Sequence, residues 1–292
     1  MGQVKSDKRQ GTGGNWFDRS FKAEVKQAGE SLNPFRGGLL FAREIAYPDL
    51  NPVEADAELD RFAAEIGPAV AAEADISGQV AALSEYVFDR LGFAGNREAY
   101  YDPANSYLNK VLTSRRGIPI SLSVILVELA RRVGLSASGI GLPGHFIVAV
   151  EAASGGDLLY LDPYNGGAPL TMKDCERLVR ESTGYEGPLE PDWLRPAPAR
   201  AIVGRMLNNL RGIYLHHEQW GEAEAVIRAL RSLEPEVPEH SRDLGLVLHR
   251  EHQLRGAIAM LEEYLARKPD APDFEQVRQS LWMLAEHLGR LN

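Results

Sequence analysis

The feature that most constrains the fold is a repeat with a period of thirty-four residues in the last third of the chain. A small alanine lets two helices pack closely, and a proline ends the second helix of a unit. One such unit cannot bury its apolar face alone, so the period predicts stacked helix pairs over residues 199–292. The matching positions are Leu210 and Leu244, Ala223 and Ala257, Ile227 and Leu261, and Pro235 and Pro269.

This period is that of tetratricopeptide helix pairs, with a plain helical bundle as the alternative. The segment FEQVRQSLWMLAEHLGRLN fits a closing helix over the last apolar face. Before the repeats, PLEPDWLRPAPARAI is rich in proline, which marks a domain junction near residues 188–198. We therefore predict a first domain over residues 37–190 and an all-α repeat domain over residues 199–292.

The first domain changes its pattern along the chain, from helices to strands. Apolar residues recur at helical spacing in NPVEADAELDRFAAEIG and SGQVAALSEYVFDRLGF. The segment IPISLSVILVELARRVGL is apolar nearly all round in its first half, which predicts a buried central helix. Three short segments with the residue pattern of β-strands follow, separated by turn residues: SASGIGL, HFIVAVE and DLLYLD. Helices followed by antiparallel strands predict the α+β class.

The last two of these strands carry a histidine and an aspartate. If AASG at residues 152–155 forms the tip of a symmetric hairpin, His145 lies directly opposite Asp162. Opposed side chains of an antiparallel pair are close enough for a carboxylate to hold an imidazole N–H. In this register Phe146, Val148 and Val150 share one face with Leu159 and Leu161, and the His145–Asp162 pair lies on the other face. The His145–Asp162 pair has the chemistry of a base and its orienting group, although a buried pair of this kind can also be purely structural.

Several motifs in order give the chain a resemblance to a known family. The segments NSYLNKVLTSRRGIPISLSVILVELARRVGL, GLPGHFIVAV and YLDPYNGG, followed by the repeats, resemble the SirB1-type transglutaminase-like proteins. The resemblance implies a papain-like arrangement in which a cysteine opens the buried helix, a histidine begins a later strand and an aspartate ends the next. His145 and Asp162 match the last two positions. The cysteine position falls on Pro119.

Proline at the first helical position keeps the helix start but supplies no nucleophile. Two serines follow it in the same helix. Ser121 is rotated away from the position of Pro119 and fits a capping hydroxyl, while Ser123 returns to the same face about 6 Å deeper. A serine enzyme would therefore need a shifted helix.

Other residues near the expected cleft are weaker candidates. The resemblance draws attention to Asn105 as a residue that orders a loop beside the cleft. Of Arg115 and Arg116, one could bind a carboxylate or line the cleft mouth, although a solvated pair is the favoured interpretation. Cys175 shares helical spacing with apolar residues and is expected in the core. The histidine pairs at 216–217 and 249–252 lack an accompanying carboxylate motif, so we expect no metal site and no cofactor.

Composition narrows the class of partner. The chain has 292 residues, a net charge of −9 and a single cysteine. The negative charge argues against general nucleic-acid binding, and the single cysteine suits a reducing compartment. Because the sequence has no long apolar run, we expect a cytoplasmic location and no membrane partner. Residues 1–36 are predicted to be a tail that is disordered or partly helical.

The function predicted from these features is that of a non-catalytic transglutaminase-like protein, a pseudoenzyme. It would act as an interaction or regulatory module that recruits a protein or peptide through its repeats. The alternative is a hydrolase or acyl transferase that uses His145 and Asp162, with Ser123 or an activated water as the nucleophile.

Overall fold

The computed structural model describes residues 16–151 and 158–291. Within these residues, seven α-helices precede or flank a small antiparallel sheet, and five further helices follow it. The helices are α1 (Phe21–Ala28), α2 (Pro34–Ile45), α3 (Pro52–Ala72), α4 (Ile76–Ser84), α5 (Leu108–Ser114), α6 (Pro119–Arg132), α7 (Met172–Thr183), α8 (Ala199–His216), α9 (Trp220–Leu233), α10 (Glu239–Arg250), α11 (Leu254–Arg267) and α12 (Phe274–Leu291). A π-helical segment, Glu85–Arg90, continues α4.

The strands form two sheets. The first two strands make a short parallel pair, and the other four form an antiparallel sheet in sequence order. They are β1 (Ala94–Gly95), β2 (Arg116–Gly117), β3 (Ser136–Ile140), β4 (Ile147–Glu151), β5 (Leu158–Asp162) and β6 (Ala168–Leu170). The predicted α+β class, with helices before an antiparallel sheet, is confirmed.

The central helix α6 is buried along most of its length, as its sequence predicts. It packs against the sheet face that carries Phe146, Val148 and Val150. The opposite face, with Ile147 and Ala149, packs on α7 together with the fully buried Cys175. Alternation along a strand sends successive side chains to opposite faces, so the sheet divides two apolar clusters.

The hairpin register differs from the predicted one. Val148 pairs with Leu161 and Glu151 with Leu158, so each residue of β4 is opposite one two positions later in β5 than predicted. Residues 152–157 connect the two strands, and the AASG tip falls outside the described residues. Because the shift is an even number of residues, it preserves the predicted faces. The prediction that His145 lies directly opposite Asp162 is wrong, since His145 precedes the first residue of β4.

The repeat helices keep the thirty-four-residue period in their details. The six leucine, alanine and isoleucine positions named above are fully buried. Glu218 and His252, which are one period apart, both have positive φ values in the turn inside each helix pair. Pro235 and Pro269 each follow the end of the second helix of a pair.

The two predicted domains share one apolar core. Val203, Met206 and Leu207 of α8 belong to the same buried cluster as the helices of the first domain. The hydroxyls of Tyr107 and Tyr214 lie 2.7 Å apart across the junction. The proline-rich junction also pairs with the sheet, where the N–H of Ala197 donates to the carbonyl of Gly139 at 2.8 Å.

Part of the predicted tail belongs to this core. Trp16, Phe21 and Val25 are buried in the main cluster, and the predicted boundary at residues 36 and 37 falls inside α2. The tail before residue 16 lies outside the described residues. Within the described ranges, no helix is both long and apolar enough to cross a bilayer.

Candidate functional site

The start of α6 is fixed by a serine and a loop asparagine. Pro119 is buried at the first helical position, with Ile118 as the N-cap. The Ser121 hydroxyl accepts a hydrogen bond from the N–H of Ile118 at 3.1 Å and donates to the carbonyl of Asn105 at 2.6 Å. Ser121 is therefore fully engaged in the helix start, as expected for a capping hydroxyl.

Asn105 orders the loop before α5. Its amide nitrogen donates to the carbonyls of Ala99 and Tyr100 at 2.6 and 3.2 Å, and its side-chain oxygen accepts from Asn96 at 3.0 Å. The side chain is buried, so these bonds satisfy a polar group that is removed from water. They hold the exposed residues Tyr100 and Tyr101 beside the start of α6.

His145 and Asp162 meet at the edge of the sheet. The imidazole Nε2 lies 3.1 Å from Oδ1 of Asp162, and both side chains are nearly buried. If the register of β4 and β5 is continued, Asp162 lies beside Ile147, two residues from His145. Diagonal neighbours of this kind share a face and remain within reach of long side chains. The pair therefore forms across the diagonal and not across a direct pairing.

The contact between the His145 imidazole and the Asp162 carboxylate is close but imperfectly aligned. Within the described residues, no partner meets Nε2 of His145 with ordinary hydrogen-bond geometry, although Oδ1 of Asp162 lies at 3.1 Å. The N–H direction, and not the distance, is what departs from a good bond. The imidazole ring also packs edge-on against Tyr164, with 6.2 Å between the ring centroids.

Asp162 has more donors than His145 alone. Its Oδ1 accepts from the N–H groups of Tyr164 and Asn165 at 3.0 and 3.3 Å, and its Oδ2 accepts from the Asn165 amide at 2.6 Å. Burial by itself raises the pKa of Asp162, but His145 and the Asn165 donors outweigh it. The net effect is a lowered pKa, so the carboxylate is charged at neutral pH.

Helix α8 holds the turn that presents His145. The guanidinium of Arg205, in α8, donates to the carbonyl of His145 at 2.9 Å and to that of Leu142 at 3.2 Å. It also lies over the Phe146 ring, 5.4 Å from the centroid. Sequence analysis missed Arg205, although a single arginine in the apolar run AIVGRML was an available signal.

The remaining candidate residues do not converge on the imidazole. The Ser123 hydroxyl is fully buried and faces the carbonyl of Phe146 at 3.5 Å. Arg115 is only partly exposed: it binds Glu58 at 2.9 Å, and its guanidinium lies 4.9 and 4.8 Å from the ring centroids of Phe62 and Phe93. Arg116 is exposed, and its guanidinium donates to the carbonyl of Gly92 at 2.8 Å.

A groove of about 580 Å³ opens beside the start of α6. We call it the tyrosine groove; Tyr100, Tyr101 and Ile118 line one side, and Asn208, Asn209, Gly212, Ile213, His216 and His217 of α8 line the other. Oδ1 of Asn208 is buried without a hydrogen-bond partner in the described part of the chain. The groove thus combines aromatic surface with amide side chains beside the start of α6.

The hydroxyl and thiol groups of the described residues, 16–151 and 158–291, make no hydrogen bond with the His145 ring. Burial, together with Asp174 and Asp162, raises the pKa of the Cys175 thiol to about 11, so this thiol is protonated and lies in the core as predicted. The same ranges contain no group of three or more His, Cys, Asp or Glu residues arranged to hold a metal ion.

Comparisons with known proteins agree with this architecture. A family model described as the transglutaminase-like superfamily matches residues 54–208, and one described as the tetratricopeptide repeat matches residues 210–281. A UPF0162 protein of Xylella fastidiosa is 36% identical over 86% of this chain and 90% of its own length. A UPF0162 protein of Vibrio cholerae is 28% identical over 82% of this chain and 88% of its own length.

A shorter similarity reaches a eukaryotic protein. Human F-box only protein 21 is 37% identical over 114 residues, which are 37% of this chain and 18% of that protein. The long bacterial matches, the order of the two family models and the diagonal His145–Asp162 pair all agree. The chain therefore belongs to the transglutaminase-like superfamily, among the SirB1-type members in which that domain is followed by tetratricopeptide repeats.

Proposed function

We propose that the protein is a non-catalytic interaction module that holds a peptide segment of a partner protein in the tyrosine groove. The observation that carries the proposal is Pro119, a residue without a nucleophilic atom at the buried start of α6. The groove beside it is lined by two exposed tyrosines and by the amide side chains of Asn208 and Asn209, which suit peptide binding. The chain's net charge of −9 favours a protein over a nucleic acid as the partner.

A cytoplasmic location is part of this proposal. Its support is the single cysteine, which is buried and so suits a reducing compartment. The repeats add helix faces of the kind that bind partner segments in other repeat proteins.

The alternative function is that of a hydrolase or acyl transferase. The close approach of His145 to Asp162 favours it, since a base held by a carboxylate can activate a water molecule. The position of Ser123 weighs against a serine nucleophile, because its hydroxyl faces the carbonyl of Phe146.

Peptide selection followed by calorimetry tests the proposal. Peptides selected from a random library on the full chain should lose affinity at least about tenfold in Tyr101→Ala, since buried aromatic anchors dominate such interfaces. Met283→Ala, which changes a similarly exposed apolar residue on α12, is the matched control and should retain binding.

An activity screen tests the alternative in parallel. We expect no turnover of ester and amide substrates by the full chain. Turnover that His145→Ala abolishes while the fold persists would reverse the ranking of the two functions.

Selected peptides that bind Tyr101→Ala and Met283→Ala with equal affinity would exclude the tyrosine groove as the binding site.

A further inference from the structure

A second groove lies between α1 and the repeat helices α8, α9 and α11. Its volume is about 760 Å³, within the range of about 300–1,000 Å³ typical of ligand sites. We call it the basic groove and define it by six cationic residues that line it: Lys22, Lys26, Arg200, Arg228, Arg231 and Arg267. It shares no lining residue with the tyrosine groove, so a ligand here goes beyond the function proposed above.

The charge of the basic groove is opposite to that of the chain. The chain carries −9 overall, whereas the groove is lined by six cations and two carboxylates, Glu234 and Glu263. A concave surface lined by charges of one sign attracts ligands of the opposite charge. The groove is therefore an exception in an acidic protein.

Some of these cations are only partly neutralised. Arg231 and Arg267 share the carboxylate of Glu263, at 2.8 and 3.5 Å. Arg200 donates to the backbone carbonyl of Leu233, which carries no full charge. Lys22 and Lys26 are exposed on α1, and neither makes an ion pair within the described residues. Arg228 is paired with Glu224 at 2.6 Å. A bound anion would therefore reach Lys22, Lys26 and Arg200 without first breaking an ion pair.

The remaining lining restricts the chemistry of that anion. Aromatic side chains are missing from the described lining, so a nucleic-acid base would have no ring on which to stack. Glu234 and Glu263 interrupt the cations, and a continuous chain of phosphates would meet both of them. Val25, Pro235 and Val237 add apolar surface between the charges. Spaced carboxylates separated by small apolar side chains match this pattern, and guanidinium groups bind carboxylates well.

We propose that the basic groove binds an acidic peptide segment of a partner protein, through Lys22 and Lys26 on one wall and the repeat arginines on the other. The probe is a fluorescein-labelled peptide that alternates glutamate with alanine and valine. Its fluorescence anisotropy is measured while the full chain is titrated at low ionic strength.

The matched variants change equal charge at two places. The double variant Lys22→Glu/Lys26→Glu should raise the Kd of the peptide at least about tenfold, because it reverses two unpaired charges. The double variant Lys173→Glu/Arg195→Glu, at exposed positions outside the groove, should change the Kd by less than about twofold through long-range charge alone. Circular dichroism verifies that both double variants are folded, and Tyr101→Ala should leave this binding unchanged.

Four results would overturn the proposal. They are an absence of binding by the full chain, an equal loss in both double variants, equal binding of a peptide in which glutamine replaces glutamate, and tighter binding of inorganic polyphosphate that the lysine variant abolishes. The last result would assign the basic groove to phosphate polyanions.

Discussion

At the scale of single residues, the protein places His145 beside Asp162 at the edge of the sheet and Pro119 at the start of α6. Asp162 retains three donors besides His145, so its carboxylate has a structural role whether or not chemistry occurs. Pro119 gives the helix start a residue whose missing N–H costs nothing there. We therefore expect the histidine and the aspartate to stabilise the fold at the same place where related geometry would support catalysis.

The lowered pKa of Asp162 predicts a pH dependence of stability. A group whose native pKa is below its unfolded value stabilises the fold fully above the unfolded pKa of about 4. This stabilisation is lost as the pH falls through the native pKa. Denaturant titrations should therefore show a shallower loss of stability below about pH 4 in Asp162→Asn than in the wild type. Asp192→Asn, at a largely exposed site, should follow the wild type, and equal slopes in all three proteins would contradict the prediction.

Removal of the imidazole should affect stability before it affects any activity. We expect His145→Ala to lower the free energy of unfolding by about 1–3 kcal/mol, because it removes a nearly buried side chain next to a buried carboxylate. His216→Ala, an exposed histidine of α8, should change it by less than about 0.5 kcal/mol. Thermal melts of the two variants provide the comparison; similar melting temperatures would show that the pair contributes nothing to the fold.

The sequence could predict the proximity of His145 and Asp162 but not its geometry. The alternation of the strands sets which side chains share a face, and this is unchanged by a shift of two residues. The register itself depends on the connection over residues 152–157, for which the turn residues allowed more than one tip. The contact of Arg205 with the carbonyl of His145 was beyond prediction because sixty residues separate the two along the chain.

At the scale of elements, α8 belongs to two structures at once. It is the first helix of the predicted repeat domain, although the transglutaminase-like match extends to residue 208, and its Arg205 holds the turn before β4. The other side of this turn contacts α7, where the Ser182 hydroxyl lies 3.1 Å from the carbonyl of Pro143. The position of His145 therefore depends on helices from both predicted domains.

Replacement of Arg205 tests this dependence. Arg205→Met keeps much of the side-chain length but leaves the carbonyls of Leu142 and His145 without their donor. We expect a loss of about 1–3 kcal/mol in the free energy of unfolding, measured by urea titration. Arg195→Met removes an exposed arginine of the junction and should cost less than about 0.5 kcal/mol. Equal effects of the two substitutions would mean that the Arg205 contacts do not stabilise the turn.

Periodicity predicted most elements because their apolar stripes are long. The repeat helices and α6 follow directly from residue spacing, and their core positions are buried as expected. Helix α1 is short and polar on average, and so its assignment to the core could not be made from pattern alone. It is buried through Phe21 and Val25, which contact residues far away in the chain.

At the scale of the whole molecule, the shared core predicts cooperative unfolding. Residues of α8 and α9 complete the apolar cluster of the first domain, so neither part has a complete core by itself. Calorimetry of the full chain should show one transition that coincides with the loss of helical signal. Two separate transitions would contradict a shared core.

A shortened chain extends this test. A chain that ends at residue 198 lacks the side chains of Val203, Met206 and Leu207, which leaves apolar surface of the first domain uncovered. We expect it to bind a hydrophobic dye and to melt without a sharp transition. The proline-rich segment near residues 188–198 predicted two domains, but amino-acid composition carries no information on how tightly two domains pack.

The turn at residues 142–145 is fastened to α7 on one side and to α8 on the other. A bend of the repeat array displaces α8 and hence the backbone of His145, along with the ring that faces Asp162 and Tyr164. The NMR chemical shifts of this one imidazole consequently report the curvature of helices that it does not belong to.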